Sequence, residues 1–401
     1  MQIEPMTILE YQTPLLGLRP NASFFLVLSY FMLFGILLGA QGVIWPEVLA
    51  ALGVSKGIFG TAQLLSPAVA IVFLLLGGFW TQRLGLRRLV LPSLILLSLS
   101  CDFLAGARIM IFFLGALALG GMGNGLMETA MNAAALDWEQ ANGRRVMNFM
   151  HAGFSAGAIT GALSAGTALS HGWDFKTVCV ALIVPCALVY VATLVTRLPP
   201  APRHNHDPHP LSTLKLITSD RDLRRLALLG VLGVIGESVA FVWAVIYLQQ
   251  LGAPPILSAA SFALFNAAML CGRLVNAPIL ARRGFRFSMA ISGTILILAS
   301  ILLLVTTSLA MVTAGFILLG LGVAGVVPTV LSRGSDLAPG MSGAVSGGIM
   351  AAAYIGFIVC PPAIGWVAQA TSLRTAMGSV GISGALVLVL VMRDKPLSTN
   401  L

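Results

Sequence analysis

An internal duplication constrains this chain more than any other feature: a hydrophobic half recurs at an offset of about 200 residues. The run Leu119-Gly-Gly-Met-Gly-Asn-Gly-Leu-Met-Glu-Thr129 returns as Leu319-Gly-Leu-Gly-Val-Ala-Gly-Val-Val-Pro-Thr329. Gly120, Gly125 and Thr129 recur as Gly320, Gly325 and Thr329, while Arg83 and Gly85 recur as Arg282 and Gly284. Parallel repeats of an apolar bundle imply two pseudo-symmetric halves with a site between them. One difference breaks the match. Where the second copy has Pro328, the first has Glu128, a carboxyl group inside an apolar segment.

With 58% hydrophobic and 9% charged residues, the chain carries far less charge than the roughly 25% of a soluble domain. A helix-length window gives twelve spans, each long enough to cross a bilayer. Six precede the midpoint, at 23–50, 57–81, 87–106, 108–137, 147–170 and 176–198. Six follow it, at 223–250, 257–281, 286–307, 309–332, 341–369 and 372–393. The expected fold is an all-α membrane protein with two pseudo-symmetric six-helix bundles. The bundles occupy 23–198 and 223–393. A tail at 1–22, a linker at 199–222 and a tail at 394–401 complete the chain.

Charge tests this topology. Of 23 Lys and Arg residues, only Lys56, Arg108, Lys176 and Arg374 fall on the non-cytoplasmic side of an N-inside arrangement, and Arg273 lies within a span. The other 18 fall on the cytoplasmic side, which places both termini there. The net charge of +9 is thereby assigned to loops facing anionic lipid rather than to nucleic acid. The N-terminal residues lack a basic n-region, so the first span is expected to act as its own insertion signal in the inner membrane.

No metal centre is expected. The five cysteines form no ligand spacing, and His204, His206 and His209 sit in the proline-rich linker without a carboxylate or Cys framework. Gly153-Phe-Ser155-Ala-Gly157 satisfies a hydrolase pattern, but it falls within a span, where the strand–turn–helix elbow is impossible. An enzyme is not expected. Pro361-Pro362 is expected to break or kink the eleventh span.

Two motifs carry a family resemblance. Gly78-Phe-Trp-Thr-Gln82-Arg83-Leu-Gly85-Leu-Arg87-Arg88 resembles the loop motif Gly-x-x-x-Asp-Arg-x-Gly-Arg-Arg-Lys of the major facilitator superfamily, with Gln82 and Leu86 as departures. Gly125-Leu-Met-Glu128-Thr-Ala-Met-Asn132, followed by Asn148-Phe-Met-His151-Ala-Gly-Phe-Ser155-Ala-Gly157-Ala-Ile, is similar to the fucose permease group of sugar:proton symporters. The resemblance implies proton-coupled symport by alternating access. It also implies a carboxylate on the first span, where this chain has Gly42 beside Gln41. The alternative is a proton-driven exporter of drugs or metabolites. Leu117 and the proline-free Gly157-Ala-Ile-Thr-Gly161 stand where such exporters carry Arg and a Gly-Pro motif.

The residues themselves point the same way. Asn124, Glu128 and Asn132 recur every four positions, forming a polar stripe on one helix face. An ionisable group at this depth normally faces a cavity or a partner. Glu128 can therefore exchange a proton, or it can sit protonated against a neighbouring helix. Glu237 is the interior acid of the second half and can share the proton with Glu128, with His151 as a relay or as a structural group. Arg273 reads as an anchor to carbonyls or as a substrate contact. Gln41, Trp45, Gln63, Asn124, Asn132, Asn148, Trp243, Tyr247, Asn266 and Tyr354 offer amides and aromatic faces suited to a polyol. The expected partners are a small-molecule solute, protons and the lipid bilayer. The chain is expected to work as a monomer, with no cofactor and no nucleic acid.

Overall fold

The computed structural model describes residues 21–142, 146–198, 217–337 and 342–392, and these are helical apart from short turns. The first half contains α1 (Ala22–Leu52), α2 (Lys56–Gln63 and Leu65–Leu84), α3 (Arg87–Ala105), α4 (Met110–Asn142), α5 (Met147–Ser170) and α6 (Phe175–Ala181 and Ile183–Val195). In the second half follow α7 (Arg221–Gln250), α8 (255–283), α9 (285–305), α10 (Leu309–Ala324 and Val326–Leu337), α11 (Ser342–Ala370) and α12 (Leu373–Ala376 and Gly378–Met392). Among the described residues ten helical segments are long and apolar enough to cross a membrane, with α8 and α9 counted as one; divided at Gly284 and with α5 included, they make twelve helices in two bundles. Both tails and most of the linker lie outside the described residues.

Helix starts follow local chemistry. Asn21, Ser55, Asp174, Asp220 and Ser372 each accept a backbone N–H of the following first turn, which satisfies donors that have no partner within the helix. α8 and α9 form a continuous helical stretch interrupted by Gly284, whose φ of 77° reverses the chain. Gly85 has φ of 80° between α2 and α3, 199 positions earlier. Only glycine enters that region without strain, so the repeat fixes the same turn twice. Around both turns lie Arg83, Arg87, Arg88, Arg282, Arg283 and Arg286, which define the basic face of the bundle.

Packing refines the register of the repeat. Gly121 lies against the Ser66 carbonyl and Gly320 against that of Phe265, while Gly123 abuts Leu97 and Gly322 abuts Leu296. Both correspondences run at 199 rather than 200, which pairs Gly125 with Ala324. At Gly325 α10 is interrupted, so the counterpart of Glu128 is Val327 or Pro328. Neither ionises.

The glycines of α5 are packing elements. A methyl group at Gly157 would sit 2.1 Å from the Met32 carbonyl oxygen, and one at Gly161 would sit 2.1 Å from that of Ile36. Gly35 and Gly39 of α1 reciprocate against Phe154 and Ala158. Small residues at this spacing let two backbones touch. Pro361 and Pro362 do not break α11, which runs helical through both.

The halves meet in two seams near the face opposite the arginines. In the first, α2 lies on α11: Gly60 abuts the Pro361 carbonyl and Gly365 abuts that of Lys56. Trp366 donates to Thr61 at 3.0 Å, and the Gly57 amide donates to Gln369 at 3.2 Å. In the second, α5 lies on α8, with Gly166 against Ala259.

Candidate functional site

Glu128 stands near the middle of α4, facing α11 of the other half. The Tyr354 hydroxyl donates a hydrogen bond to its carboxylate across the boundary between halves. Both side chains are half-buried. The stripe read from sequence continues locally, because the Asn132 amide donates to the Glu128 backbone carbonyl at 2.8 Å.

A second charged group lies beside it in the C-terminal half. Arg273 of α8 pairs with Glu237 of α7 at 3.6 Å. The same guanidinium reaches the Met269 sulfur at 3.6 Å. Sequence reasoning expected carbonyls or substrate around Arg273, and the structure gives it a carboxylate partner instead. An arginine inside a span is costly, and a counter-charge offsets that cost. His151 of α5 is half-buried in the N-terminal half. His151 also packs edge-on against Phe31, with ring centroids 5.2 Å apart. Glu128–Tyr354 and Glu237–Arg273 are thus two polar pairs drawn from four helices, one bridging the halves and one within the C-terminal half.

The remaining candidates separate into distinct places. Gln41, Trp45 and Asn124 line a cavity of about 20 Å³ within the first half, together with Ser66 and Ser100. That volume holds about one water and excludes a sugar. Gln63 and Trp243 lie in the seam between halves, where Trp243 meets Phe59 edge-on at 6.0 Å. Tyr247 points elsewhere, with its hydroxyl donating to the Leu303 carbonyl of α9 at 3.4 Å. Asn266 is fully buried and its amide donates to the Phe262 carbonyl of its own helix. The side chains of Asn148 and Gln82 lie outside the described residues.

Three buried polar atoms at these positions lack a protein partner: Nε2 of Gln63, Nε1 of Trp243 and Oδ1 of Asn266. Buried polar groups are almost always satisfied, so each such exception calls for an explanation.

Gly42 explains why the first span has no acid. A methyl group there would meet the Phe262 ring at 2.8 Å, and a carboxylate side chain would force α1 and α8 apart. The loop motif sits between α2 and α3 on the basic face. Gly78, Gln82 and Arg83 occupy the end of α2, and Gly85 makes the turn. Arg87 donates to the Thr196 carbonyl at the end of α6 at 2.7 Å, and Arg88 is exposed.

The seam residues Gly60, Thr61, Gly365, Trp366 and Gln369 were not legible as a site. The only available signal was a glycine four residues after Pro361 in α11.

Comparison with known proteins adds to this geometry. The sequence profile of the Major Facilitator Superfamily matches residues 23–352. An uncharacterized transporter of Sinorhizobium fredii is 30% identical over 369 residues, covering 91% of this chain and 96% of its own. Among solved structures, a mutant of the nucleoside transporter NupG superposes with a TM-score of 0.81 and 13% identity, over 93% of this chain and 99% of its own. A mutant of the E. coli fucose:proton symporter FucP gives a TM-score of 0.63 and 16% identity, over 93% and 98%. At such identities the two structures share the fold.

Proposed function

This chain belongs to the Major Facilitator Superfamily, and we propose that it carries a small, polar, sugar-like solute in symport with protons. Alternating access between the two six-helix halves moves the solute, and Glu128 carries the proton. The observation that bears most on this reading is the placement of Glu128: a carboxyl group inside a span, at the boundary between halves, held by a side chain of the opposite half. A charge in that position is costly unless the cycle uses it.

His151 relays the proton to Glu128. Glu237 is already paired with Arg273, so its role is to set the field around Tyr354 and Glu128. The unpartnered atoms of Gln63, Trp243 and Asn266 supply two donors and an acceptor, the complement that hydroxyl-rich solutes offer. Tyr354 holds the Glu128 carboxylate and Asn132 its backbone carbonyl, while Gln41, Trp45 and Asn124 line a small cavity in the same half. Gly78, Gln82, Arg83, Gly85, Arg87 and Arg88 form the hinge of the first half, without the acidic member of the family motif. The chain sits in the bacterial inner membrane as a monomer with its termini and basic face in the cytoplasm, consistent with the arginine asymmetry.

The test is Glu128→Gln in reconstituted vesicles. The amide mimics the neutral carboxyl group, so solute exchange between two equilibrated pools is retained while uphill uptake driven by a pH gradient is lost. Misfolding abolishes both. Undiminished concentrative uptake by this variant places the proton site elsewhere.

A further inference from the structure

We propose that Tyr354 is a positioning residue that transmits the charge of Glu128 to α11, and through α11 to the seam that closes the face opposite the arginines. The proposal rests on the proton-carrying role of Glu128 given above and assigns it a mechanical output.

The argument begins with the donor. A tyrosine hydroxyl has one hydrogen to give, and here it goes to a carboxylate of the other half. A hydrogen bond to an ionised acceptor is roughly twice as strong as one between neutral groups. Ionised Glu128 therefore holds Tyr354, and with it α11, more firmly than protonated Glu128 does. The bond lies where the carboxyl must alternate between its two forms if it carries a proton.

The second step is the lever. Tyr354 shares an uninterrupted helix with Gly365, Trp366 and Gln369, which lie eleven to fifteen residues further on and make the seam with α2. A continuous helix spaces these groups by about 17–22 Å, and α11 stays helical through Pro361 and Pro362, which lie between them. Tyr354 is flanked by Phe357, with ring centroids 5.8 Å apart, so its ring direction is set by packing and not only by its hydroxyl. Loosening the bond to Glu128 frees α11 at mid-depth, and the seam at its end loses a constraint.

Glu237 of α7, paired with Arg273 of α8, and His151 of α5 are further ionisable groups inside the spans. Glu237 and His151 can each lend a pH response of their own, which the experiment separates.

Spin labels at positions 109 and 308, in the loops joining α3 to α4 and α9 to α10, report the distance between halves at the seam face in detergent or nanodiscs. In the wild type, the short-distance population grows as pH rises. Tyr354→Phe keeps the ring and removes the donor, and it flattens that pH response by severalfold. Glu128→Gln flattens it to the same degree, and the double variant is no flatter than either single one. A Tyr354→Phe protein with the wild-type pH response overturns the proposal. So do effects of the two substitutions that add independently, or a pH response that persists in Glu128→Gln and thus belongs to Glu237 or His151. Solute exchange by each variant confirms folding. Gradient-driven uptake by Glu128→Gln is read separately, so failure of the proton-carrier reading is distinguishable from failure of the lever.

Discussion

Replacing Gly60 with valine is expected to hold the halves apart at the seam face. The β-carbon would fall 2.3 Å from the Pro361 carbonyl oxygen and 3.0 Å from the Trp243 ring. A carbon and a carbonyl oxygen in contact need about 3.3–3.6 Å, so α2 and α11 must separate by about 1 Å. Neither obstacle is the end of a flexible chain: one is backbone and the other is an indole buried against Phe59. Overpacking of this kind costs about 1–3 kcal/mol, and only the state in which α2 and α11 touch bears that cost. The equilibrium between closed and open seam therefore shifts by roughly 5- to 150-fold towards open. The assay is the distance distribution between labels at positions 109 and 308, with thermal unfolding to confirm folding. Gly378→Ala is the control, since its nearest neighbours are Leu304 methyl groups at 3.6 and 3.7 Å. A Gly60→Val protein that folds and retains the wild-type short-distance population refutes the reasoning.

Two stability predictions follow from local packing and capping. Gly157→Ala is expected to lower stability by about 1–3 kcal/mol, because the methyl group meets a backbone carbonyl, whereas Gly153→Ala meets only the movable end of Leu28 and costs less; thermal unfolding of both checks the order. Asp174 starts α6 and accepts hydrogen bonds from the Thr177 hydroxyl and amide at 2.7 and 2.8 Å, which hold its carboxyl below the ordinary 3.8. Its contribution is present above the unfolded-state value and is lost as pH falls through the folded one. Asp174→Ala is thus expected to lower the unfolding temperature at neutral pH, with the difference from wild type vanishing at strongly acidic pH. A difference that stays constant across that range removes the charge from the account.

Much of this molecule was legible from residue order alone. Apolar runs of bilayer length gave twelve spans, because in hydrocarbon the backbone must satisfy its own hydrogen bonds and a helix is the local way to do so. The repeat gave two halves, and Gly85 and Gly284 marked the same turn in each, since only glycine takes that φ without strain. Glu128 was conspicuous because an acid inside a span has few reasons to be there. These are properties of short segments, and short segments are what a sequence displays.

What only the tertiary structure decided is which distant segments meet. Tyr354 read as one of several aromatic candidates until α11 set its hydroxyl on Glu128, 226 positions away. Arg273 read as an anchor until α7 supplied Glu237. Tyr247 and Trp243 share a helix four residues apart, yet one donates to α9 and the other lies in the seam. Helical periodicity fixes that they share one face a turn apart, but not what stands opposite each. The exact register of the repeat was also hidden, because a break at Gly325 shifts the pairing by one residue where the sequence match continues. Local physics determines the helices, whereas their partners depend on how twelve of them share one volume.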